Sequence, residues 1–360
     1  MNRRDALTGS LSWLCGSVLL ATAPGCSSKT KSSSPQNLEQ LGRSIKRNDK
    51  DEITSMSFML NRVSDEELAS LADEKYKHLQ VLSIQDCKNV TDQSLNVIGK
   101  LPELSKLSFL EVGITDKGLA DLASLKNLSK LTLVRTNVKG QGLAHLADLP
   151  LKNLMITGPS MTADGLKSLV KLTRLQELRV NSGNLELQNL PKFKPISELK
   201  KLNLTGLKIN DNSLSRIAGL SKLEEIEFDS DLITDKGLPH FATCPNLRRL
   251  NLNQSQITSK GLAALAPLKK LKELALNKKC NDAAFEQLSR LPSLERLDGI
   301  ESAMSGTGIM SLKDHKHIKM VVFNSAFLTN EGKQVIQEFK KHRPQCEVFA
   351  YHNSGSVTRL

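Results

Sequence analysis

A block of about 24 residues recurs from Ile53 almost to the C-terminus, and no other feature limits the fold as tightly. Leu104 to Asn127 reads LSKLSFLEVGITDKGLADLASLKN. The copies starting at Leu128, Leu223 and Leu247 keep its register as LSKLTLVRTNVKGQGLAHLADLP, LEEIEFDSDLITDKGLPHFATCPN and LRRLNLNQSQITSKGLAALAPLKK. About twelve copies begin near Ile53, Leu79, Leu104, Leu128, Leu151, Leu175, Leu199, Leu223, Leu247, Leu271, Leu294 and Ile318. A unit this short cannot bury its own leucines, so the copies must stack, each touching only its neighbours. A length of 360 residues would otherwise suggest two or more globular domains, but nothing in the repeat span looks like a linker.

Each copy opens with L-x-x-L-x-L, the alternation of a short strand. In the copy from Leu247, Leu250 and Leu252 face inward, and Arg249, Asn251 and Asn253 face outward. I-T-D/S-x-G-L follows, and then apolar residues three apart, Leu262, Leu265 and Leu268, which is helical spacing. Thr258 or Ser259, like Thr115 or Asp116 earlier, can cap that helix. Stacked strands about 4.8 Å apart form a parallel sheet, so twelve trace an arc of roughly 55 Å. The pattern resembles leucine-rich repeats, specifically the cysteine-containing subtype with I-T-D-x-G-L found in F-box-associated and many bacterial proteins. Cys87, in LSIQDCKNVTDQSL, stands where that subtype's namesake cysteine does. The resemblance covers residues 53 to about 340. It implies an α/β leucine-rich repeat solenoid, with strands on the concave face and short helices on the convex face, and it leaves the ligand open.

The expected organisation is a leader at 1–26, a flexible tether at 27–35, an N-terminal cap at 36–52, the repeat domain at 53–342 and a C-terminal cap and tail at 343–360. Leu38, Leu41 and Ile45, at helical spacing, predict a helical cap. Pro191 and Pro195 interrupt the convex segment of their repeat, and Gly299 stands at an expected core leucine. Residues 346–350 read as a closing strand, and the tail to Leu360 as loose.

Arg3 and Arg4 precede an apolar stretch from Leu11 to Ala23, a secretory signal too short for a permanent membrane span. Residues 2–7 also resemble a twin-arginine export signal. Ala21-Thr22-Ala23 fits ordinary signal cleavage, while Ala23-Pro24-Gly25-Cys26 resembles a bacterial lipobox with Cys26 as the lipidated residue. The serine-rich run SSKTKSSSP that follows suits a lipoprotein tether. The resulting expectation is an exported envelope protein, membrane-anchored through Cys26, with soluble secretion as the alternative.

The formal charge of +12 is spread along the chain, and one Trp, two Tyr and ten Phe provide few stacking platforms, so nucleic acid is not the expected partner. Cys87, Cys244, Cys280 and Cys346 show no C-x-x-C spacing and read as buried hydrophobes. Asp314-His315-Lys316-His317 reads as a solvated turn rather than a metal site, and His342 with Cys346 as parts of the terminal cap. Asp92, Asp116, Asp211 and Asp235 stand at helix starts, where capping explains them without calcium. No catalytic, metal or cofactor set emerges.

The outward strand positions carry the binding expectation. Glu177, Lys201, Glu225, Arg249, Glu273 and Arg296 alternate in sign, either as a self-neutralising ladder or as a charge-matched partner site. Leu110, Val134 and Met155 form an apolar patch on three successive repeats. Glu225, Glu227, Asp229 and Asp231 form an acidic spot, flanked by Lys201 and Arg249, with Arg179 one strand further on. The expected function is a non-catalytic scaffold holding a protein partner on its concave face, through Leu110, Val134, Met155, Arg179, Glu227 and Asp229. A structural or polysaccharide-binding envelope component is the alternative.

Overall fold

One strand per repeat joins its neighbours in a fifteen-stranded sheet in the computed structural model, which describes residues 37–183, 185–186 and 191–360. The leader, the tether and Cys26 lie outside the described residues. At one end Ser44–Arg47 pairs antiparallel with Ile53–Met59, and at the other Val357–Arg359 pairs antiparallel with Glu347–Tyr351. Every strand between them runs parallel. The repeats pair in register, so like residues stack. Leu107, Leu131, Leu154, Leu178 and Leu202 form one inward row, each at most 2% exposed. Each such leucine contributes about 2 kcal/mol of burial, which only the adjacent repeats can provide.

The convex segments are more tightly wound than α-helices in several repeats. Gly118–Ser124, Gln141–Leu146, Leu238–Thr243, Gly261–Leu265 and Thr307–Leu312 are 3₁₀ helices, whereas Asp92–Ile98 and Ala163–Leu169 are α-helical. Apolar residues three apart, such as Leu119 and Leu122, fall on the buried face of the 3₁₀ segments just as Leu95 and Ile98 do in the α-helical one, so this spacing suits either winding.

The recurrent aspartates do not cap their own helices, as the sequence suggested; they clasp the next repeat. The Asp92 carboxylate accepts from the Thr115 amide at 2.7 Å and the Thr115 hydroxyl at 2.6 Å. Asp211 does the same with Thr234, and Asp235 with Thr258. Asp116 accepts from three amides, those of Lys139, Gly140 and Gly142. The threonines are then the caps, as Thr115 Oγ1 accepts from the Lys117 amide at 3.2 Å. Ser259 departs from this capping role and bonds Asn281 of the following repeat. The glycine of I-T-D-x-G-L leaves room for the clasp. A Cβ on Gly118 would stand 2.6 Å from Asp92 Oδ1, and one on Gly237 would stand 2.6 Å from Asp211 Oδ1.

Three further expectations need correction. The N-terminal cap is a single turn, Leu38–Leu41, followed by the strand Ser44–Arg47, because pairing satisfies the exposed edge of the first repeat strand. The tail is ordered, since Val357–Arg359 covers the opposite edge and the Leu360 amide bonds the Val348 carbonyl. His315 is buried rather than solvated: its Nε2 is 2.7 Å from the Leu291 carbonyl, and its Nδ1 accepts from the Ile318 amide. It joins two repeat junctions that would otherwise leave backbone groups unmet. At Gly299, fully buried Met304 occupies the space an expected leucine would fill. The stretch from 191 to 200 contains no helix, as its prolines require.

Candidate functional site

Three outward rows of side chains cross the sheet, because strand register repeats at every step. The first row runs through Lys106, Lys130, Asn153, Glu177, Lys201 and Glu225 to Arg249 and Glu273. The second runs Ser83, Ser108, Thr132, Met155, Arg179, Asn203 and Glu227. The third carries Gln85, Leu110, Val134, Thr157 and Asn181.

This geometry revises the apolar patch. Leu110 and Val134 face each other in the third row, but Met155 lies in the second, opposite Thr132 and Arg179. The three are half-buried and lie on a diagonal rather than in one stripe.

A recess of about 200 Å³ opens on this face. Met155, Arg179, Asn203 and Glu227 of the second row line it, with Lys130, Asn153, Glu177, Lys201 and Glu225 of the first. The structure thus unites Met155, Arg179 and Glu227 from the expected binding set. Leu110 and Val134 do not line it. Asp229 lies beyond the strand Glu225–Glu227 and accepts from the Gly206 amide at 2.5 Å, a turn contact rather than a lining one. Lys130, Asn153 and Asn203 were missed, although counting from the L-x-x-L pair puts them in the same rows.

Charge is distributed unevenly across the site. Toward the C-terminal side the alternating row neutralises itself. Glu225 lies 3.3 Å from Lys201 and 3.2 Å from Arg249, and Arg249 lies 3.0 Å from Glu273. An adjacent rim repeats the pattern, with Glu295 2.6 Å from both Lys272 and Lys319. Burial raises the Glu227 carboxyl above its ordinary value, which Arg179, an Asn203 hydrogen bond and Lys201 partly offset. Toward the N-terminal side Lys106 faces Lys130 with no carboxylate between them. Among the described residues, no group of three or more His, Cys, Asp or Glu could hold a metal ion. Cys87, Cys244, Cys280 and Cys346 are buried free thiols, with Cys280 pushed up to about 12 and Cys346 to about 11 by burial. His342 is paired with Glu338 at 3.9 Å, and the Cys346 thiol donates to the Glu347 carbonyl, so neither engages the other.

Solved structures share this architecture. An internalin from Listeria monocytogenes is 17% identical with a TM-score of 0.53, over 82% of this chain and 86% of its own. A chain of the Toll–Spatzle complex of Drosophila is 15% identical with a TM-score of 0.53, over 82% of this chain and 43% of that one. A chain of the TLR13–ssRNA13 complex is 21% identical with a TM-score of 0.50, over 76% and 39%. The fold is a leucine-rich repeat solenoid. This chain spans less than half the length of the two chains taken from complexes. No family model matches the sequence, and no curated protein matches it. In this leucine-rich repeat solenoid the recess lies on the strand face, opposite the clasps that hold the repeats together.

Proposed function

We propose that the protein is a non-catalytic binding scaffold that recognises a protein partner through the strand face of its solenoid. The observation that carries this reading is the recess flanked by uncovered apolar side chains, on a face that the repeat architecture holds rigid. A rigid face loses little conformational freedom on binding, so its contacts count toward affinity. Two similar solved chains come from complexes, which supports a scaffold role for this fold. The cysteine-containing subtype is part of the reading, as is an envelope location with Cys26 lipidated and residues 27–35 as its tether.

Leu110→Asp and Met155→Asp should each weaken capture of a partner by about tenfold while leaving the unfolding midpoint unchanged, since both positions are half-exposed. The measurement is affinity capture from envelope extract with identification by mass spectrometry, alongside urea unfolding. A captured set that is identical for wild type and both variants would sink the strand-face reading. Cys26→Ser should move the protein from the membrane to the soluble fraction; retention in the membrane fraction would sink the anchor.

A further inference from the structure

The cations around the recess divide into two populations. Lys201 and Arg249 are held by Glu225, and Arg249 also by Glu273. Lys106, Lys130 and Arg179 form no ion pair and no side-chain hydrogen bond among the described residues; Arg179 lies close enough to Glu227 to attract it through space. Lys106 and Lys130 stand opposite each other on adjacent parallel strands and are exposed. Strand spacing of about 4.8 Å keeps two like charges in mutual repulsion. Elsewhere the same row alternates its charges and relieves such repulsion. Here it does not, and the unrelieved charge borders the uncovered apolar diagonal of Leu110, Val134 and Met155.

We infer that this quarter of the strand face takes an extended segment of a partner protein in which acidic residues flank an aliphatic one. This rests on the scaffold reading above. The carboxylates would settle on Lys106, Lys130 and Arg179, and the aliphatic side chain on Met155 and Val134. Binding would relieve the lysine repulsion and cover apolar surface in one step. Glu177, Glu225 and Glu227, which line the same recess, repel a further carboxylate, which limits how far along the face the acidic run extends. Nucleic acid fits less well. It would also match the cations, but stacking on aromatic rings is absent from a face of Ser, Thr, Met, Val and Leu.

The test is to pan a display library of random peptides on the full chain and measure the selected peptides by fluorescence anisotropy. Selected sequences should be rich in Asp and Glu beside Leu, Ile or Val. Lys130→Glu and Arg179→Glu should each weaken their binding about tenfold, as loss of a contact plus a new repulsion predicts. Binding should also fall steeply between about 50 mM and 500 mM salt. Lys117→Glu, an exposed site beside the convex helix Gly118–Ser124, should leave it unchanged. Selected peptides that lose affinity with Met155→Asp but lack acidic enrichment would overturn this inference and leave the scaffold reading standing. Peptides insensitive to Met155→Asp, Leu110→Asp and Lys130→Glu alike would overturn both. Lys130-dependent capture of a single-stranded oligonucleotide, with no peptide doing the same, would overturn the protein-segment assignment.

Discussion

Gly165→Ala should lower stability by about 3 kcal/mol, although alanine is by itself the better helix former. Gly165 lies in the helix Ala163–Leu169, and its missing Cβ is what lets this repeat rest on the one before. A Cβ there would overlap the Lys139 carbonyl and stand 2.9 Å from the Gly140 Cα. Both obstacles are backbone and cannot rotate away. The helix would have to retreat, and the Thr162 amide and hydroxyl would lose the Lys139 carbonyl they now reach at 3.1 and 3.2 Å. Gly113→Ala is the matched control, because its Cβ would find only the Val90 carbonyl at 3.5 Å, an ordinary contact. Urea unfolding followed by circular dichroism compares the two. Helix propensity alone predicts a more stable Gly165→Ala variant, so a neutral or stabilised result would refute the close-approach account.

Asp65→Ala should cost about 2 to 3 kcal/mol at neutral pH, because it removes one acceptor from three donors at once. The Asp65 carboxylate accepts from the Thr91 amide at 2.9 Å, the Thr91 hydroxyl at 2.6 Å and the Ser94 hydroxyl, and Ser94 is 1% exposed. Burial pushes this carboxyl upward, but the bonds from Ser94 and Thr91 outweigh it and hold the group below its ordinary value. A depressed folded value means the stabilisation is complete above the unfolded value of about 3.9 and is lost as pH falls through the lower folded one. The stability gap between wild type and Asp65→Ala should therefore be flat from about pH 5 upward and should narrow below about pH 4. Urea midpoints across that range measure it. A gap that persists unchanged in acid would show that the carboxylate's charge does not hold the junction.

The strands, their inward leucines and the in-register rows were legible because alternation is local and the repeats reinforce it. Row membership was countable too: Met155 belongs with Thr132 and Arg179 once the position is taken from Leu151 and Leu154 rather than from its apolar character. The clasps were not legible in the same way. Asp92 starts its own helix, so one repeat read alone suggests a cap, and its true partner Thr115 is a full repeat away in sequence. His315 misled for a similar reason. Charged neighbours in the sequence made it look solvated, while the Leu291 carbonyl that holds it belongs to the preceding repeat. The closing strand Val357–Arg359 carries only Val357 as an apolar signal; what orders it is an open sheet edge, which composition does not record. Most of the outward lining of the recess was visible as charges and one methionine, and Lys130, Asn153 and Asn203 waited on knowing which rows converge.

The clasp also changes what the repeating unit is. An aspartate at the start of one repeat's helix serves the threonine at the same place in the next, and the next repeat's glycine makes room for that same aspartate. What recurs is therefore a joint rather than a block. Excising the one period between two aspartate–threonine joints, those of Asp211 and Asp235, would bring Asp211 to Thr258 and leave a single joint of the same kind. Such a chain can lengthen or shorten by whole periods without renegotiating its interior, and each change would slide the lysine-rich end of the strand face nearer to, or further from, the neutralised end.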